Sequence, residues 1–426
     1  MLTAAPQRTV AVRWRLSGLA RGLVTLALCG LVLAVITRRA EFAGLASPAL
    51  LLLTRRQPEL PRAIGLTLAG AASQVTETEQ ASVLARISGH GGAAVHVRLH
   101  PAAWIAAGDA TLGADGWHRL PFRAERWGLR AVGVLEVILH DRWRLAEARA
   151  SVELPPVTCL PLPARLGSLV VLSKLPARLG EHAARATGEG VEFAGVREFV
   201  PGDRQRRINW PATTRRGTLQ LNTFAAERAQ VTVILMDIST DVGDAGRSTA
   251  DLAVRATAGV AAAYLAARDR VGLISFGRQL RWISPAPGRR QAERIMTMIT
   301  IDHGNGEALA TVTRLPQAAL PPGALIIVVS PLLSLRLVEA LRELRERGFA
   351  TIVLDVLCAE PEISRGGARS RDRTMAGLAR RVWRMEQEAI RFSLRELGIP
   401  VATWDGDSAL DEPLAPYTRR VMVNRA

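Results

Sequence analysis

The chain has 426 residues, 48% of them hydrophobic and 22% charged, a composition that fits a folded protein with room for two or three domains. Wholesale disorder and collagen-like repetition are excluded. Three widely separated cysteines, Cys29, Cys159 and Cys358, exclude a disulfide framework and a Cys-rich zinc site. The net charge of +16 is carried almost wholly by arginine, Lys174 being the single lysine. So uniform a preference follows GC-rich codon usage better than it follows a nucleic-acid surface.

Residues 1–62 hold nine arginines against Glu41 and Glu59, so much of the excess charge lies beside the most apolar part of the chain. Two uncharged runs occur there, GLVTLALCGLVLAVIT (22–37) and FAGLASPALLLLT (42–54), separated by Arg38, Arg39, Ala40 and Glu41. Each is shorter than the ~20 residues of a straight span, and arginines snorkelling at the ends extend their reach. The reading is a membrane anchor over 1–62, with spans at about 20–37 and 42–54 forming a hairpin. No small-residue cleavage site follows Thr37, which argues against a signal peptide. Arg8, Arg13, Arg15 and Arg21 precede the first run, and Arg55, Arg56 and Arg62 follow the second. The positive-inside rule therefore puts both ends in the cytoplasm, with Arg38 and Arg39 as violations in the outer turn.

From Ile64 the pattern changes to short alternating runs such as AAVHVRLH and LRAVGVLEVILHD, punctuated by Gly, Asp and Pro about every ten residues. This spacing predicts a β-rich, sandwich-like domain over 63–160. Five histidines (His90, His96, His100, His118, His140) fall within it. No carboxylate or cysteine cluster accompanies them, so half-buried strand histidines are the better account.

Residues 161–229 begin with Pro-rich punctuation and continue into the most polar segment of the chain. Glu192, Arg197, Asp203, Arg206, Arg207, Trp210, Arg215 and Glu227 stand close together there. The interleaving of acids and bases favours a structural ion-pair network. The alternative is a phosphate or nucleic-acid surface built on the arginines and Trp210.

Strands and helices alternate from residue 230 to the end, which predicts a doubly wound α/β domain over 230–426. The strand VTVILMD (231–237) is followed by a helix over 248–267, the strands RVGLISFG and LRWIS, and helices near 289–300 and 307–319. The strand ALIIVVS (324–330), a helix over 335–347, the strand TIVLDVL (351–357), a helix at about 373–397 and VATWD (401–405) complete the series. Ligands of such sheets gather at the carboxyl ends of the central strands. Asp237, Ser239 and Asp241 stand there, and their hard oxygens suit Mg²⁺ or Mn²⁺. A strand-end or helix-capping role for Asp237 is the plainer alternative.

Gly190-x-Glu192-Phe193-x-Gly195-x-Arg197-x-Phe199-x-Pro201-Gly202-Asp203, then Arg206-Arg207-Ile208-Asn209-Trp210 and Thr214-Arg215, lead through Leu219 to Glu227 into Asp237-x-Ser239. Over these fifty or so residues the chain resembles the bacterial family called domain of unknown function 58. That resemblance implies a membrane hairpin, a β-rich middle domain and a von Willebrand factor type A-like domain at the C-terminal side. It also implies a non-catalytic, membrane-anchored scaffold or adaptor at the bacterial plasma membrane. Its soluble domains would face the cytoplasm, and its partner in maturing or remodelling client complexes would be a MoxR-type AAA ATPase. Type A domains bind partners through a metal-ion-dependent adhesion site, Asp-x-Ser-x-Ser with a distant Thr and a distant Asp. Asp237 and Ser239 match, Asp241 stands in place of the second serine, and Pro331 follows Ser330 where the family commonly has Asp. The resemblance thus implies a degenerate metal site.

An enzyme is the rival reading, and its usual signatures are missing. Lys174 lies in no P-loop, Ser275 in no nucleophile elbow, and His303 sits alone between Asp302 and Gly304. No recognised nucleic-acid motif is visible either.

Overall fold

The computed structural model describes residues 7–53, 60–70, 73–113, 115–170, 187–200, 208–225, 230–277, 279–301, 315–358 and 370–420. The chain divides into two compact units, Met1–Leu162 and Pro163–Ala426.

In the first unit, strands β1 (Arg8–Ala11) and β2 (Arg13–Leu16) lead into helices α1 (Gly18–Thr37) and α2 (Glu41–Leu53). Eleven strands follow: β3 (Ala63–Ala69), β4 (Gln74–Thr76), β5 (Gln80–Ser88), β6 (Ala94–Pro101), β7 (Ile105–Ala107), β8 (Thr111–Leu112), β9 (His118–Ala124), β10 (Gly128–Arg130), β11 (Gly133–His140), β12 (Ala146–Glu153) and β13 (Val157–Leu160). One sheet has the order β1-β3-β5-β9-β7, with β8 also on β9; a second has the order β2-β12-β11-β6; a third joins β10, β13 and β4. Leu66, Val83 and Leu120 of the first sheet and Leu135, Val137 and Leu139 of the second share one buried core. Two sheets that each turn an alternating apolar face to a common core pack as a sandwich.

Residues 8–16, within the segment 1–62 read from sequence as a membrane anchor, pair with strands of this sandwich. Val10, Val12, Trp14 and Leu16 alternate with Ala11, Arg13 and Arg15, a period of two that makes strands. Val12, 6% exposed, is where the chain passes from the first sheet to the second. The Arg13 and Arg15 charges that read as membrane flanks are the exposed side of β2.

Helix α1 starts directly from the sandwich. Ser17 caps α1, its Oγ accepting from the Ala20 N–H at 3.1 Å and donating to the Arg144 carbonyl. α1 is the one described helix long and apolar enough to cross a membrane; α2, at 13 residues, is apolar but shorter. They pack through small residues, Ala27, Ala46 and Ala49 being buried between them.

Among the histidines, His100 pairs with Glu136 at 2.9 Å, His90 bonds the Ala93 carbonyl, and His96 meets His140 edge-on. Burial, and then the nearby His96, lower the pKa of His118.

In the second unit β14 (Ser168–Val170) pairs with β23 (Thr418–Arg420), and β15 (Thr187–Glu198) with β16 (Gln220–Ala225), with α3 (Trp210–Arg216) between the latter two. The main sheet contains β17 (Val231–Asp237), β18 (Arg270–Phe276), β19 (Leu280–Ala286), β20 (Leu325–Ser330), β21 (Ala350–Asp355) and β22 (Val401–Thr403). Its order is β19-β18-β17-β20-β21-β22, all parallel except the edge strand β19. Helices α4 (Thr249–Ala266), α5 (Arg289–Ile301), α6 (Leu335–Glu346), α7 (Ser370–Glu396) and α8 (Asp411–Leu414) connect or follow the strands. Of the helix expected near 307–319, the described part is a single 3-10 turn, Gln317–Ala319; the remainder lies outside the described residues.

β17, β20 and β21 are almost wholly buried, which is why they read as unbroken apolar runs in place of alternating ones. The chain winds one way from β17 through α4 to β18 and the other way from β20 to β22. The order therefore reverses between β17 and β20, and ligands of open parallel sheets bind at such a reversal.

Candidate functional site at the carboxyl ends of the central strands

Register places Asp237 on β17, Ser330 on β20, Asp355 on β21 and Thr403 on β22 side by side, each ending its strand. Asp237, Ser330 and Asp355 are all at most 1% exposed. Asp237 Oδ1 accepts from the Ser239 N–H at 3.1 Å and the Ser239 hydroxyl at 2.6 Å. Its Oδ2 accepts from the Ser330 hydroxyl at 2.6 Å, and that hydroxyl in turn accepts from the Leu332 N–H at 2.8 Å. Burial raises the Asp237 pKa, and the bonds from Ser239 and Ser330 only partly oppose the rise. No charged side chain is among the causes of that shift.

Asp355 meets burial differently. Its Oδ2 accepts from Arg391 Nε at 2.6 Å and its Oδ1 from the Leu357 N–H at 2.9 Å. Burial raises its pKa as well, with the Arg391 charge the largest opposing influence. Of two neighbouring buried carboxyls, one has its cation in the protein and the other has hydroxyls.

Asp241, expected beside Asp237, lies at the start of α4. Its Oδ1 accepts from the Ala250 N–H at 3.0 Å, where a carboxylate satisfies an otherwise unpaired donor and favours the helix dipole. The loop between is fastened to the same turn: the Thr249 hydroxyl accepts from the Val242 N–H and donates to the Thr240 carbonyl. Ser248 and Asp251 complete a capping box on α4. Asp241 thus has a structural task that its place in the sequence motif does not reveal.

The donor set can be set against the divalent cation expected of it. Asp237, Ser239 and Ser330 offer hard oxygens in one cluster, and a buried carboxyl of raised pKa is stabilised when ionised by a nearby cation. Among the described residues no group of three or more His, Cys, Asp or Glu could hold a metal ion. With one carboxylate and two hydroxyls in the cluster, a divalent cation held here would keep much of its water, as Mg²⁺ does.

The residues of the polar segment are placed as follows. Arg197 lies on β15, exposed, and donates to the Glu198 carbonyl. Trp210 opens α3 at 65% exposure, and Arg215 lies in the last turn of that helix. Asn209 caps α3 through the Ala212 N–H and bonds Asn222 of β16 across the hairpin. Glu192 is on β15, its side chain outside the described residues; Asp203, Arg206, Arg207 and Glu227 also lie outside them. The expected network therefore has three members, Arg197, Trp210 and Arg215, whose side chains are described.

Ser330, Asp355 and Arg391 were not among the residues that sequence reasoning singled out. The available signal was that ALIIVVS and TIVLD end on a polar residue after an apolar run, just as VTVILMD does.

Residues 195–378 match the model of the family described as Protein of unknown function DUF58. The uncharacterized protein Rv1480 of Mycobacterium tuberculosis and the uncharacterized protein Mb1516 of Mycobacterium bovis are each 31% identical over 193 residues, 44% of this chain and 55% of the relative. The chain thus spans about half the length of the curated relatives it matches. No solved structure matches.

Proposed function

We propose that this chain, which belongs to the DUF58 family through residues 195–378, is a non-catalytic scaffold anchored in the bacterial plasma membrane. In this reading the C-terminal domain is von Willebrand factor type A-like and binds a protein partner at the carboxyl ends of β17 and β20. The observation that carries the reading is Asp237: a carboxyl 1% exposed, at the reversal of strand order, partnered by Ser239 and Ser330. Such a group is an unusual expense in a purely structural sheet. A Mg²⁺ or Mn²⁺ ion held by Asp237, Ser239 and Ser330, mostly through water, would offer an open position to a carboxylate of the partner. The partner implied by the family resemblance is a MoxR-type AAA ATPase.

Sheet pairing supports the membrane topology. β1 pairs with β3 and β2 with β12, so the segments before α1 and after α2 belong to one sandwich. A single crossing would separate them by a bilayer, whereas a hairpin returns the chain to the side it left. The arginines at both ends favour the cytoplasm for that side by the positive-inside rule.

The test is recovery of a MoxR-type ATPase from the same organism on tagged full-length chain in the presence of Mg²⁺. The variant carrying Asp237→Ala and Ser239→Ala together should lose it. Unchanged recovery with a folded variant contradicts the reading.

A further inference from the structure

Helix α7 carries two stripes of side chains. Gln387 and Leu394 are buried, with Trp383 and Ile390 half-buried in the same row, and Arg391 beside them reaches Asp355. At about 100° per residue, Met375, Leu378, Val382, Met385, Ala389 and Phe392 form a row on the roughly opposite side. All six are exposed, Met375, Met385 and Phe392 by 66%, 70% and 62%. Single exposed apolar residues are ordinary, but a row of this length is the mark of a surface that another element covers.

The spacing names the kind of element. The row repeats in steps of three and four, with Met375, Val382 and Ala389 at the a positions of a heptad and Leu378, Met385 and Phe392 at d. In this frame Arg381 is a g residue and Glu386 the e residue of the next heptad. These are the two positions that face each other across a parallel, in-register pair of helices. Both side chains are exposed, so two identical copies can exchange two Arg381–Glu386 pairs. Antiparallel pairing would instead oppose g with g and e with e.

We propose that α7 is the dimerisation helix of this protein, pairing in parallel with α7 of a second copy through the seam from Met375 to Phe392. A seam this short is weak by itself. Confinement of both copies to one membrane by α1 raises their effective concentration and makes a weak seam sufficient. The pairing does not depend on the cation site or on the ATPase.

Cysteine cross-linking of the full-length chain in membranes tests this, in a background carrying Cys29→Ser, Cys159→Ala and Cys358→Ser. Leu378→Cys, Met385→Cys and Phe392→Cys, introduced singly, should each give a cross-linked dimer, at least about tenfold above the off-seam control Arg384→Cys. Arg381→Glu or Glu386→Arg alone should reduce the yield, and the two together should restore it. Cross-linking no better than at Arg384→Cys would overturn the proposal. So would a product at Met385→Cys alone, which signals antiparallel pairing, or failure of the double exchange to rescue. Cross-linking of the seam to a different protein instead of its own copy would likewise overturn it.

Discussion

Asp237 and Asp355 show how far one residue type can be driven by its neighbours. Both end buried strands, and burial raises the pKa of both, but only Asp355 has an arginine against it. For Asp237 the raised folded value means that its proton-linked stability is fully present below the unfolded pKa near 3.8 and is lost as pH rises through the folded value. Ionised Asp237 is therefore a cost to the folded state at neutral pH, which the cation proposed above would offset. For Asp355 the cation is internal, and removing it strands a buried charge. Arg391→Met should cost about 3–5 kcal/mol, read as lost hydrogen-exchange protection in β21, while Asp355→Asn with Arg391→Met should recover most of it. Unchanged protection in Arg391→Met would contradict the assignment. Asp237 was legible because a carboxylate closes an apolar run and a serine follows two residues on. Its bond to Ser330 spans 93 residues, and Arg391 reaches Asp355 across 36. No local spacing encodes either contact.

At the scale of elements, the strands of the α/β domain were the most legible, since burial on both faces leaves an unmistakable apolar run. β1 and β2 were the least, because Arg13 and Arg15 satisfy a membrane-flank pattern and a strand pattern at once. Only the pairing to β3 and β12 decides between them. The two apolar helices were visible as runs, but their contact was not. A Cβ at Gly30 would meet the Phe42 carbonyl oxygen at 3.2 Å and Ala46 Cβ at 3.3 Å, whereas one at Gly22 meets nothing within 4 Å. Small residues at helix contacts let backbones approach closely in a bilayer. Gly30→Leu should therefore lower the thermal midpoint of the detergent-solubilised chain, by the equivalent of about 1–3 kcal/mol for overpacking. Gly22→Leu should leave it unchanged. Equal behaviour of the two variants would mean that α1 and α2 do not pack as described.

For the molecule as a whole, the family match begins on β15 and ends within α7. It takes in the end of β15, β16, the main-sheet strands β17 to β21 and the Asp237 cluster, and leaves out β22, the sandwich and the apolar helices α1 and α2. Charge gave little guidance at this scale: the +16 is arginine spread through the chain, and its local meaning comes from partners such as Asp355. The central claim is that Asp237, Ser239 and Ser330 form a cation site on which partner binding depends. Calorimetric titration of Mn²⁺ into the purified full-length chain, with Asp237→Ala as control, tests it most directly. The account predicts saturable binding to one site per chain, abolished by the substitution. Absence of binding to folded wild-type protein, or binding that survives in Asp237→Ala, would contradict it.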